Sequence, residues 1–298
     1  MTDPEPTLAG LRGEIDRLDD ALVDLLLGRA KLVRAIGALK GADGGPVLRP
    51  GREAEILRRL LARADGDLDG AAVVRIFREI VSAAVRQQGV FSVAASMPDG
   101  GPSCWALARD QYGAATSIVP MAGPAQVAAA VADGTVSVGI VPTPMNEEAQ
   151  PWWPPLMAEG TPRVVARLPA ALGLAPADGC TEGLALALMT PEPSGDDRTL
   201  VALETESGLA RSRIRDGFDA AGFTVRATWS HGAGEGGLPV CHLTEVDGFF
   251  TPENPALAAL AEALGEAAPR IAVIGAFAVP PRAAPGPPSG APPPGGGP

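Results

Sequence analysis

The chain has 298 residues, 46% of them hydrophobic, and a formal net charge of −11 from 24 basic and 35 acidic side chains. That length allows two or three domains with real cores, and the acidic balance argues against a nucleic-acid partner for the last two thirds, because residues 1–90 hold 14 basic and 14 acidic residues and carry none of the excess. No run of about 18 apolar residues exists to span a membrane, and the acidic opening MTDPEPTLAG lacks the apolar core of a signal peptide, so a cytoplasmic protein without membrane association is expected.

From Leu8 to Lys40, apolar residues recur at Leu8, Leu11, Ile15, Leu18, Leu22, Leu25, Leu32 and Ile36. Three- and four-residue steps of this kind predict one long helix with a single buried apolar face, roughly 45–50 Å in length. Two shorter amphipathic helices follow before residue 90. Arg12, Arg29, Lys40, Arg52, Glu53 and Gln88 punctuate the three helices and suggest a cationic pocket for a small dicarboxylate. Arg29 and Lys40 lie about three turns apart, roughly 16 Å, on nearly the same face, so their long side chains can converge on one ligand. Arg12 lies roughly 25 Å along the axis from Arg29, too far to join them within one chain. If it belongs to the site it arrives from a second subunit whose long helix runs antiparallel, which makes a homodimer part of the expectation. Lys31 and Lys40 are the only lysines in the chain, so an ammonium at position 40 suits a site that needs a compact point donor rather than a planar fork. Glu53 also suits a helix-start carboxylate facing the dipole.

The runs LRGEIDRLDDALVDLLLGRAKLVRAIGALK, GREAEILRRL and RIFREIVSAAVRQQ resemble the three helices of the all-helical chorismate mutase family, including the form fused to prephenate dehydratase. The resemblance covers about residues 8–89 and rests on the order and spacing of Arg12, Arg29, Lys40, Arg52, Glu53 and Gln88. It implies rearrangement of chorismate to prephenate, a unimolecular pericyclic step that needs no nucleophile, metal or redox cofactor, only confinement of a compact conformer and donors at the ether oxygen where charge builds. By the same resemblance, Arg12 of the partner chain and Arg29 hold the two carboxylates, Lys40 and Gln88 donate to the ether oxygen, and Glu53 with Arg52 fixes the hydroxyl. Two positions depart from the pattern: Arg49 stands where the fused enzymes carry an acidic residue, and Ala84 where a Ser is common.

Beyond Gln88 the period changes. Phe91–Ala95, Thr116–Val119, Val136–Val141 and Arg163–Leu168 read as strands, with helices over Trp105–Tyr112 and Ala125–Ala132 between them. This alternation predicts an α/β domain with a largely parallel sheet. VADGTVSVGIVPTP is similar to the first lobe of prephenate dehydratase, over roughly residues 91–190. The dehydratase Thr-Arg-Phe motif is absent, Pro144 and Met145 replace its Glu-Asn, and the span is too short for a second lobe, so a domain without dehydratase chemistry is expected. Trp152-Trp153-Pro154-Pro155 reads as a rigid loop packed on the sheet. PSGDDR at 193–198 reads as a polar linker.

The remainder gives the order βαββαβ, a ferredoxin-like unit over residues 199–279. It resembles the ACT regulatory domain, with Ser207-Gly208-Leu209-Ala210 at the ligand-gating turn and Thr228-Trp229-Ser230-His231 where that family has Glu-Ser-Arg-Pro. This implies an amino-acid effector, or a structural role for the unit. His231 and His242 lack metal-ligand spacing, and Cys104, Cys180 and Cys241 are too scattered for a metal site, so reduced structural thiols are expected.

The sequence therefore predicts a multidomain protein. An all-α three-helix mutase domain (1–90) precedes an α/β dehydratase-like lobe (91–192), an α+β ferredoxin-like, ACT-like domain (193–280) and a disordered Pro/Gly tail (281–298). The expected activity is that of a dimeric chorismate mutase. The alternatives are a bifunctional mutase and dehydratase, and a non-enzymatic amino-acid sensor on a helical stem.

Overall fold

Periodicity over the first forty residues produces what it should. In the computed structural model α1 runs over Leu8–Asp43, a rod of roughly 54 Å. Residues 7–43, 47–64, 68–146, 151–205, 210–232, 240–268 and 270–283 are described. Two helices follow: α2 over Pro50–Leu61, where Pro50 opens the first turn, and α3 over Gly70–Arg86, where the Asp69 carboxylate accepts from the Ala71 amide at 3.0 Å. Both are strongly amphipathic and bury one face. α1 departs from the expected buried face, leaving Leu11, Ile15, Leu18, Leu22, Leu25, Leu32 and Ile36 exposed along its length.

The first strands and helices of the lobe form where the sequence places them. β1 (Ser92–Ser96) pairs in parallel with β2 (Ser117–Met121) and β3 (Val138–Pro142), and α4 (Trp105–Tyr112) and α5 (Pro124–Ala132) make the crossovers. The largely parallel expectation fails after this point. β4 (Arg163–Leu168) and β5 (Gly183–Ala187) are antiparallel to each other, and β5 is antiparallel to β3. β5 is five consecutive buried residues, GLALA, with neither alternation nor β-branching to announce it. Trp152 and Trp153 are each 1% exposed in the core between sheet and loop, as the packed-loop reading expects.

The last part has the order β6 (Asp197–Thr205), α6 (Arg211–Ala220), β7 (Val225–His231), β8 (Val240–Asp247), α7 (Pro255–Leu264), β9 (Arg270–Ala278). Its strands lie antiparallel as β9-β6-β8-β7, the ferredoxin-like order, with both helices packed on one face through Ile214, Phe218, Leu260 and Leu264. Its other face packs on the lobe. Leu200, Ala202, Leu243, Ile274 and Phe277 share one core with Trp152, Trp153 and Leu156 of the lobe.

The expected boundary near residue 192 therefore falls inside one nine-stranded sheet, ordered β2-β1-β3-β5-β4-β9-β6-β8-β7. The halves join where β4 meets β9 in parallel at Val164 and Gly275. A Cβ on Gly275 would stand 2.3 Å from the Val164 carbonyl oxygen, so only glycine lets the two strands close up here.

The 193–198 segment is not a loose linker. The Asp197 carboxylate accepts from the Ser194 hydroxyl at 2.6 Å, the Ser194 amide at 2.8 Å and the Gly195 amide at 3.0 Å, tying the segment into a knot. From α2, the Arg58 guanidinium donates to the carbonyls of Ser194, Asp196 and Val279 and to the Ser194 hydroxyl, all within 3.1 Å. The start of α2 lies against the same junction, because a Cβ on Gly51 would be 2.9 Å from the Glu192 carbonyl oxygen. The expected tail also begins late: Pro281 and Ala283 hydrogen-bond with the backbone of Leu172, and residues from 284 on lie outside the described set.

Candidate active site

Arg29 is the candidate cation around which a pocket exists. It is half-buried and lines a cavity of about 450 Å³ between α1 and α3, with Val23, Leu26, Ile80 and Ala84 among the walls. That volume suits a small organic ligand. Two other charged groups on the rim are already engaged: the Glu79 carboxylate accepts from the Ala114 amide at 2.9 Å, and Arg86 donates to the Thr116 hydroxyl at 2.9 Å. No ion pair is made by Arg29 among the described residues, which leaves its guanidinium available to an anion. Ala84 adds a small apolar wall where a Ser would add a hydroxyl.

Gln88 follows α3 and donates to the Ala84 carbonyl at 3.1 Å. Its side chain lies against α1, since a Cβ on Gly37 would be 3.3 Å from Gln88 Cγ. Lys40 stands three residues beyond Gly37 in α1, a step that keeps to one helix face. Arg29 lines the cavity between α1 and α3, whereas Gln88 lies against α1 at Gly37 and is not part of that lining. Arg12 is exposed near the opposite end of α1, about 25 Å along the axis from Arg29, so one chain does not assemble the set.

The α2 candidates lie elsewhere. Arg52 is exposed and paired with Glu55 at 2.7 Å. Glu53 is only 8% exposed, and its carboxylate receives Arg78 of α3 at 2.7 Å, while Arg78 also donates to the Gln111 carbonyl of α4 at 3.0 Å. Burial, and next the Glu53 carboxylate, push the neighbouring Tyr112 phenol above its ordinary range. Glu53 therefore faces the lobe and anchors a buried cation rather than opening onto the Arg29 cavity. Nothing in the sequence separated Arg78 from the other arginines of α3. Arg49 has a partner on the junction, Glu192 at 3.0 Å, so the departure from an acidic residue exchanges a carboxylate for a tie to the lobe.

Residues 11–89 match the family model of chorismate mutase type II. The match spans the three N-terminal helices. The mutase segment brings with it relatives of composite architecture. The chain is 35% identical over 146 residues to a bifunctional chorismate mutase/prephenate dehydratase of Pseudomonas aeruginosa, covering 47% of this chain and 40% of that protein. It is 39% identical over 92 residues to the enzyme of the same name from Aquifex aeolicus, covering 29% and 25% respectively. An intracellular chorismate mutase of Mycobacterium tuberculosis is 41% identical over 56 residues, covering 19% of this chain and 53% of that one. A match to 47% of the chain reaches past the mutase segment, so the likeness to the Pseudomonas enzyme continues into the α/β lobe. The chain matches less than half the length of that relative. Among solved structures, a prephenate dehydratase from Streptococcus mutans covers 63% of this chain and 98% of its own at 16% identity and a TM-score of 0.44. GqqA, described as a novel type of quorum quenching acylase, covers 63% and 94% at 19% identity and a TM-score of 0.46.

Outside the mutase segment, the two histidines fall on neighbouring strands. His242 is buried, its Nδ1 lies 2.9 Å from the Ser230 hydroxyl, and burial followed by the Arg211 charge pushes its pKa down to about 4. Of the expected ligand-gating turn, Ser207–Ala210, the first three residues lie outside the described residues. No described helix is long and apolar enough to cross a membrane.

Proposed function

We propose that the chain is a cytoplasmic chorismate mutase that works as a homodimer. The observation that carries this reading is the match of residues 11–89 to chorismate mutase type II, together with an α1–α3 cavity lined by Arg29, which makes no ion pair among the described residues. The exposed stripe of α1 supports pairing with a second copy. An antiparallel partner helix would bring Arg12 of the other subunit toward the Arg29 cavity. In this reading Arg29 and the partner's Arg12 hold the substrate carboxylates, and Lys40 with Gln88 meets the ether oxygen as negative charge builds. Such preset donors act where charge develops, so they lower the barrier without any covalent step. Arg52, whose exposed pair with Glu55 is weak, is free to turn toward the substrate hydroxyl. Glu53 is left out of this set because Arg78 holds it.

The lobe beyond residue 90 serves as a support without dehydratase chemistry: Thr-Arg-Phe is absent and Pro144-Met145 replaces the polar pair. The βαββαβ unit is read as ACT-like, with an amino acid as its effector, and the ferredoxin-like strand order supports that assignment. The names of the bifunctional relatives favour a second reading, in which the lobe still converts prephenate.

Incubating purified full chain with chorismate and identifying the products separates these readings. Prephenate as the sole product is expected. Phenylpyruvate would assign catalysis to the lobe as well, and no turnover would leave a binding protein on a helical stem.

A further inference from the structure

Cys104 and Cys180 are 76 residues apart in sequence, yet their sulfurs lie 2.7 Å from each other. That is inside the contact distance of two unbonded sulfurs and not far beyond the about 2.05 Å of a bond. The approach is built into the backbone on both sides. Cys104 precedes α4, and its amide donates to the Ser96 carbonyl at 2.8 Å. The Cys180 amide donates to the Ser103 carbonyl at 2.9 Å, next to the other cysteine in sequence. Gly179, at φ 85°, brings the chain so close that a Cβ there would be 2.3 Å from the Ser103 carbonyl oxygen. Glycine alone tolerates both that conformation and that approach. Cys104 is 0% and Cys180 5% exposed, and both belong to the core beneath β1, β3 and β5. All three cysteines are free thiols, as expected, but Cys104 and Cys180 are neighbours in space rather than scattered.

We propose that Cys104 and Cys180 form a covalent crosslinking site, closed by exchange with a low-molecular-weight disulfide and reopened by thiols. Cys180 is the entry point: it is the less deeply buried of the two residues, and the hydrogen bond it shares with Cys104 holds its thiol below the ordinary range while raising that of Cys104. The Cys180 thiolate attacks one sulfur of the small disulfide, forming a mixed disulfide and releasing one thiolate, which takes up the Cys180 proton. Cys104 then loses its proton, and its sulfur displaces the second small thiol from Cys180. Two protein thiols are oxidised and one disulfide is reduced to two thiols, so electrons and protons balance. The bond fastens the segment leading into β5 to the start of α4, and α4 in turn carries the Gln111 carbonyl that holds Arg78.

The test treats native full chain with oxidised glutathione, removes the excess, alkylates in denaturant, and maps the peptides by mass. Free thiols are expected to fall from three to one, with Cys241 the survivor and a Cys104–Cys180 crosslinked peptide two hydrogens lighter than its parts. Dithiothreitol should restore all three. In Cys104→Ala the glutathione adduct should persist on Cys180, and Cys241→Ala should leave the crosslink unchanged. Three free thiols after oxidation, a stable glutathione adduct on the wild-type chain, or a crosslink that forms only when denaturant precedes the oxidant would each overturn the proposal. The wild-type map decides even if Cys104→Ala fails to fold.

Discussion

Replacing Lys40 by alanine is expected to lower chorismate turnover by about 10²- to 10³-fold, the usual cost of removing one preset donor from a developing oxyanion. The rearrangement has no nucleophile or proton transfer to fall back on, so its barrier depends on shape and on donors at the ether oxygen. Lys40 is one turn beyond Gly37, where Gln88 meets α1, so in the proposed set the charged donor comes from α1 and the neutral one from the residue just past α3. Alanine is the best helix former and leaves α1 intact, so circular dichroism and sedimentation should not change. A donor that acts only in the transition state lowers kcat and kcat/KM together, whereas one that merely holds substrate raises KM. Steady-state kinetics with purified Lys40→Ala distinguishes the two. A kcat within twofold of wild type would remove Lys40 from the proposed set.

The second large effect is on stability. Arg78→Ala should destabilise the fold by about 3–5 kcal/mol, because it strands the Glu53 carboxylate in a place where it is only 8% exposed. The Gln111 carbonyl loses its guanidinium donor in the same substitution. A urea titration that reads the midpoint and checks that its slope is unchanged measures the loss. Replacing both partners by apolar residues, Arg78→Met with Glu53→Leu, should recover most of it, since the cost lies in the unpaired charge rather than in the absence of a pair. Glu53→Gln addresses function through the same contact. If Glu53 only anchors Arg78, stability falls and the KM for chorismate stays put; a raised KM with an intact midpoint would return Glu53 to the substrate hydroxyl.

Elements with a strong period or a strong turn signal were legible in the sequence. The single apolar stripe of α1, the alternation of strands and helices after residue 90, and the βαββαβ order all appear where local pattern dictates structure. Failures came where tertiary context decides. β5 is an unbroken apolar run that is equally consistent with a buried helix segment, and its antiparallel insertion beside β3 is set by the sheet around it. The 193–198 segment has linker composition, but its polar groups are satisfied by Asp197 and by Arg58 arriving from 136 residues away. In the candidate site, the periodicity that predicted one long helix places Arg29 and Lys40 in the same element, α1. Spacing said nothing about which way α2 turns, and so could not reveal that Arg78 claims Glu53.

The Arg58 clamp bears on how such a chain can be taken apart. Three backbone carbonyls and a hydroxyl outside the helices hold this one α2 side chain, and Leu57 and Val74 find their apolar neighbours at Ala171 and Leu174. A fragment ending at residue 90 would keep the three helices that match the family model yet expose the underside on which α2 and α3 rest. The edge of the family match and the edge of the packing thus fall at different places, and residue 90 is a poor place to cut.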